Sequence, residues 1–237
     1  MKRTFRITLM SAAFTFAASA PVLAKKVAAP TVAGAAALGS VAAAPAGSKN
    51  IPAKGTALAA VKAANVTIAA QLKQKTTPGS AEEAKMAAAV TETVRGFIDL
   101  DILATRAILE SHWAEAKEAQ RKEYLTVLRA LLEDNYVRGM RSNLDFTVDY
   151  IGEVAAPKGN AVIVQTVIKA KRKGRPYSIK VDYTVEADAA RGVYVVDIAT
   201  DGVGLVANYR SQFIKIINKD GFDGLLAKMK KKLATAK

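Results

Sequence analysis

Hydrophobic residues along this chain change period twice, from 3.6 to 2 and back. From Ala57 to Gln74 the apolar positions Leu58, Val61, Ala64, Ile68 and Leu72 recur every three or four residues, which predicts a helix with one buried stripe. Thr76-Thr77-Pro78-Gly79 interrupts it, and Ser80 followed by Glu83 is a capping-box signal for a second helix with Met86, Val90, Val94 and Phe97 inward. Asp99 can cap a third, short helix, and His112-Trp113 reads as a turn. A long helix follows from about Ala114 to Arg141, with Leu125, Leu128, Leu132, Tyr136 and Met140 on one face and Tyr124, Val127 and Leu131 beside them. That stripe is wide enough to meet apolar neighbours on more than one side. Residues 144–154, 161–170, 177–187 and 193–199 then read as strands rich in Val, Ile, Tyr and Thr, separated by three short turns. After Gly202 the helical period returns, and Gly221 divides that region into two helices.

Helices, then four strands joined by short turns, then helices predict an α+β domain. Its four-stranded antiparallel sheet would be packed on one face by the N- and C-terminal helices.

The first residues set the compartment expected. Lys2, Arg3 and Arg6 precede an apolar run from Ile7 to Ala20 and then Pro21-Val22-Leu23-Ala24. This is the pattern of a secretory signal with cleavage after Ala24, too short and too interrupted for a membrane anchor. Residues 25–56 follow, where Ala, Gly and Pro fill 18 of 32 positions with no acid and no aromatic residue. Such a block buries too little to offset its ordering entropy and reads as a flexible tether. The folded domain is then expected over 57–237. Leader and tether together hold half of the chain's net charge of +14. Export makes nucleic acid a poor partner for the remainder.

Covalent chemistry has little to work with. The chain has no Cys and one His, which excludes disulfides, thiolate nucleophiles and His-rich metal clusters. Any Ser-His-Asp scheme passes through His112, and no nucleophile-elbow motif accompanies it. Asp145 with Asp149, and Asp197 with Asp201, are the conceivable carboxylate pairs, but solvated strand-edge acids explain them as well. No phosphate loop or dinucleotide fingerprint is present. Neither a metal nor a cofactor is expected. The basic clusters are Lys169, Lys171, Arg172, Lys173 and Arg175 at one hairpin, and Lys228, Lys230, Lys231 and Lys232 near the C-terminus. Each reads either as a solvated tip or as a docking surface for acidic partners or anionic headgroups. A sheet facing amphipathic helices can also enclose an apolar cavity.

The stretch from Tyr194 to Phe213, YVVDIATDGVGLVANYRSQF, followed by Gly221-Phe-Asp-Gly-Leu-Leu226, resembles the MlaC family, also called the toluene-tolerance auxiliary family. The family pattern there is V-x-D-V-x-x-E-G-V-S-L-V-x-N-Y-R-x-Q-F, then G-x-D-G-L. Asp201 stands for its Glu and Gly204 for its Ser. Phe97-Ile-Asp-Leu-Asp101, Ser111-His-Trp113, Lys117-Glu-Ala-Gln-Arg121 and Gly174-Arg-Pro176 are similar to further family segments.

The resemblance implies a monomeric periplasmic phospholipid shuttle. It would work between an outer-membrane lipoprotein complex and an inner-membrane ABC transporter bearing an MCE-domain protein, and so maintain outer-membrane lipid asymmetry. The lipid tails would lie between helices and sheet, with no covalent step. The expected pocket residues are Val148, Tyr150, Val164, Val181 and Tyr183 from the sheet, with Leu128, Leu132, Tyr136, Val206 and Tyr209 from the helices. Arg210 either holds the fold or meets the headgroup phosphate, and Lys169–Arg175 is the expected partner-docking segment. Alternatives are an exported binder of another apolar lipid such as a hopanoid, a hydrolase using His112, and an adaptor with a filled core.

Overall fold

The computed structural model describes residues 49–77, 79–141, 146–172 and 175–236, with side chains left out at a few of these. The expected signal peptide and all but the last residues of the expected tether lie outside the described residues.

Helix α1 (Thr56–Leu72) buries Ala57, Val61, Ala64, Asn65, Ile68 and Leu72, the stripe its period predicts. Helix α2 (Ala81–Phe97) starts at Ser80, whose Oγ accepts from the Glu83 amide at 3.1 Å. The reciprocal bond reaches one residue further back than in a standard capping box: Glu83 Oε2 accepts from the Gly79 amide at 2.6 Å. Asp99 caps α3 (Leu100–Arg106) through the Ile102 amide at 2.8 Å. His112 and Trp113 are helical, in α4 (Glu110–Glu115), rather than in the expected turn. The long helix α5 (Glu118–Arg141) therefore begins four residues later than its apolar pattern suggested. It packs mainly on the C-terminal helix, α3 and α2. Its wide stripe thus has more than one neighbour.

The sheet is antiparallel and open. Strands β2 (Phe146–Ala155), β3 (Val162–Arg172), β4 (Arg175–Asp188) and β5 (Gly192–Thr200) are the four expected from alternation. Two two-residue strands correct the expected count of four. β6 (Val203–Gly204) adds to β5, and β1 (Lys49–Asn50) pairs with Asp188 and Ala187 of β4. Neither is long enough to show a period. β1 also moves the start of the fold into the expected tether, where Pro52 is buried.

In β2 the register shifts between Tyr150 and Gly152, so Ile151 is an extra residue there. Parity flips across this bulge. Phe146, Val148 and Tyr150 face the helices before it, and Glu153, paired with buried Val164, faces them after it. Helix α6 (Leu205–Ala236) is broken at Gly221, where φ is 71° and ψ is 178°. That conformation is open essentially to glycine alone. One apolar cluster, drawn from α1, α2, α3, α5, α6 and the inner face of the sheet, forms the core.

Candidate functional site

The inner face of the sheet and the helices over it form the candidate site. Val164, Val181 and Tyr183 are buried on neighbouring strands, with Val164 directly opposite Tyr183 in the register. Val148 and Tyr150 are half-buried against the same cluster. Leu128, Leu132 and Tyr209 are buried from the helical side, and Val206 is half-buried at the start of α6. Nine of the ten expected pocket residues thus belong to or pack on one continuous interior. Of Tyr136 only the backbone is described.

The interior carries few polar groups. Thr166 is buried and satisfies its hydroxyl on the Val181 carbonyl at 2.7 Å. The Tyr183 phenol lies against the Asn65 side chain, and burial pushes its pKa up to about 12. Burial also holds the Tyr124 and Tyr209 phenols well above the ordinary value of 10. All three phenols stay neutral at any physiological pH. The core around them is therefore uncharged and apolar. Asn65 was not anticipated, although a polar residue within the buried stripe of α1 was a visible signal for it.

Aromatic rings hold the helical wall together. Tyr124 of α5 meets Trp113, Phe213 and Phe222 edge-on, with ring centroids 6.0, 5.8 and 6.0 Å apart. Its hydroxyl donates to the Ala104 carbonyl at 2.8 Å. Phe97 of α2 reaches across to Tyr183 at 6.3 Å.

The conceivable carboxylate pairs have other uses. Asp197 Oδ1 accepts from the amides of Ile198 (2.8 Å) and Val206 (3.0 Å), which caps α6. Burial pushes its carboxyl above the ordinary value, against those hydrogen bonds and the Arg106 charge. Asp201 accepts from the Lys180 amide at 3.0 Å. Asp149 pairs with Lys169, and Asp145 lies outside the described residues. His112 Nε2 is buried and makes no hydrogen bond with any described residue. Among the described residues no three His, Cys, Asp or Glu side chains gather as metal ligands, and no helix is long and apolar enough to cross a membrane.

Arg210 donates from Nε (3.0 Å) and Nη2 to the Arg106 carbonyl, which ties α6 to the end of α3. Lys169, Lys171 and Arg175 are exposed at the β3–β4 hairpin. Of Arg172 only the backbone is described, and Lys173 lies outside the described residues.

Two surface clefts open beside the interior. One, of about 300 Å³, lies where α2 meets α3, over Phe97 and Leu100. Arg191 straps its rim, bonding to Asp99 and Asp188 while stacking 4.0 Å from the Tyr194 ring centroid. Local periodicity gave no sign of this strap, because its members are distant in sequence. The other cleft, of about 530 Å³, opens at the hairpin end of the sheet and includes Lys169 and Lys171.

The family model described as MlaC protein matches residues 62–231 of the chain. Among solved structures, the chain is similar to a phospholipid-binding protein from Ralstonia solanacearum, determined in complex with a phospholipid. The two share 26% identity with a TM-score of 0.62, over 76% of this chain and 98% of that one. No curated protein matches the chain.

Proposed function

The chain belongs to the MlaC family, and on that premise we propose that it binds a phospholipid between its sheet and its helices and carries it through the periplasm. The observation that carries this reading is the likeness, over 76% of this chain and 98% of the other, to a protein solved with a phospholipid bound. The continuous apolar interior bounded by Val164, Val181, Tyr183, Leu128 and Tyr209 supports it from within this chain. A carrier has to match the burial that a bilayer gives its lipids, about 0.8 kcal/mol for each methylene kept from water. An apolar interior in which burial keeps Tyr124, Tyr183 and Tyr209 neutral meets that demand without charge. The reading involves no covalent step, so the chain acts as a binder and not as an enzyme.

The fuller role is a shuttle that maintains outer-membrane lipid asymmetry. Its partners would be an inner-membrane ABC transporter with an MCE-domain protein and an outer-membrane lipoprotein complex. It would be exported by the leader that ends at Ala24 and would act as a monomer.

Native mass spectrometry with lipid extraction, on mature protein purified from the periplasm, tests the core of the reading. About one diacyl phospholipid per chain is expected, and the same load in His112→Ala. A chain that arrives empty and takes up no added phospholipid overturns it. A hopanoid in place of the phospholipid would move the reading to another apolar cargo. Loss of a hydrolytic activity in His112→Ala would replace a carrier with an enzyme.

A further inference from the structure

At the hairpin end of the sheet, Phe146, Ala170 and Tyr177 are adjacent in register across β2, β3 and β4. They share the helix-facing parity of the next rows inward, Val148–Ile168–Ile179 and Tyr150–Thr166–Val181. Ala170 is buried, while Phe146 and Tyr177 are half-buried and pack on the core. An apolar strip therefore runs from the 530 Å³ cleft into the interior. Lys169 and Lys171 flank Ala170 on β3, and Ser178 follows Tyr177 on β4, so these three alternate to the other side and form the polar rim of the same cleft. The long stem of Lys171 lets its ammonium group reach that rim.

Charge there is one-sided. No acidic side chain lines the cleft among the described residues. Lys169 Nζ is paired with Asp149 of β2 at 2.5 Å. Lys171 has no ion-pair partner among the described residues, and Arg175 adds a further exposed cation beside Pro176. The α2–α3 cleft differs. Its Arg95, Arg129 and Arg191 are each matched by a carboxylate (Glu133, Asp101 and Asp99), so it offers an anion no net charge.

We propose that the hairpin cleft seats the anionic end of the cargo. The phosphate of a bound phospholipid rests against Lys171, its chains follow the Phe146–Ala170–Tyr177 strip inward, and the chain thereby favours headgroups with net negative charge over zwitterionic ones. This rests on the phospholipid-carrier reading above. An apolar floor whose rim carries Lys171, unpaired among the described residues, matches an anion attached to hydrocarbon better than it matches either part alone.

The test loads purified wild type and Lys171→Glu from mixed vesicles of phosphatidylglycerol and phosphatidylethanolamine, and reads both lipids by native mass spectrometry. Because Lys171 is exposed and unpaired among the described residues, the melting temperature is expected to hold. The ratio of phosphatidylglycerol to phosphatidylethanolamine is expected to fall about fivefold. Lys171→Arg should keep the wild-type ratio.

An unchanged ratio in Lys171→Glu overturns the seat. So does an equal loss of both lipids, which would mean a role without charge selection. A slower transfer from anionic vesicles at unchanged final ratio would put these charges to work on the membrane surface and overturns it too. Thermal protection of wild type by inorganic phosphate alone, lost in Lys171→Glu, would replace the lipid by a free anion. Absence of any lipid from wild type is a different result, and defeats the carrier reading itself.

Discussion

The guanidinium of Arg210 donates two hydrogen bonds to the backbone carbonyl of Arg106, across 104 residues of sequence. That carbonyl stands at the last residue of α3, where the helix leaves its C=O groups without partners inside the helix. A cation there completes the helix end and fastens α6 to it. Arg210→Ala is expected to cost about 1–3 kcal/mol of folding stability, the range for hydrogen bonds from a charged donor. Thermal unfolding measures the loss. Phospholipid load per folded chain should stay the same. A variant of unchanged stability that no longer loads lipid would assign Arg210 to the headgroup instead.

Helix α1 begins at Gly55, a residue with no side chain to cap it, and the cap comes from the sheet. Glu153 accepts from the amides of Gly55 (2.8 Å) and Leu58 (2.5 Å). Its negative charge also faces the positive end of the helix. Glu153→Ala is expected to lose about 1–2 kcal/mol. Glu153→Gln, which keeps an acceptor, should lose less. Urea denaturation at neutral pH distinguishes the two, and equal losses would contradict the charge component.

Asp197 gives a pH dependence with an unusual sign for a carboxylate. Burial raises its carboxyl above the ordinary 3.8, so just above that value the folded chain holds a proton that the unfolded chain has released. Stability from this group is full at lower pH and falls as pH rises through the raised value. Asp197→Asn removes this titration while leaving Oδ1 to accept from Ile198 and Val206. Stability of the variant relative to wild type should therefore grow as pH rises from the ordinary value toward neutrality. A flat difference across that window, or one of opposite slope, refutes the assignment.

Gly221 allows α6 to turn, and no atom lies within 4 Å of where a Cβ would stand. The cost of a side chain there is conformational and not steric crowding. Gly221→Ala should destabilise by about 1–3 kcal/mol, or roughly 2–4 °C in melting temperature for each kcal/mol. A wild-type melting temperature in this variant would show that the two arms of α6 can join without the break.

Much of the architecture is set by local pattern, and local pattern was readable. The four long strands, the Ser80 and Asp99 caps and the break at Gly221 all follow from spacing or from one residue's conformational limits. Each is fixed by groups a few residues apart, so the sequence by itself determined them. It also carried the 194–226 block by which the family is recognised, and the parity that turns Val164, Val181 and Tyr183 inward. Tertiary structure decided the rest. β1 and β6 are two residues each, too short to show a period. They exist because β4 and β5 offer them unpaired backbone. The Ile151 bulge turns Glu153 toward α1, and only the pairing of β2 with β3 creates it. Arg210 had two possible roles until α3 was placed beside α6. The hairpin cations acquired an apolar floor only when Phe146 and Tyr177 were brought to either side of Ala170. These are contacts between residues far apart along the chain, and they follow from which surfaces bury one another rather than from the propensity of any one segment.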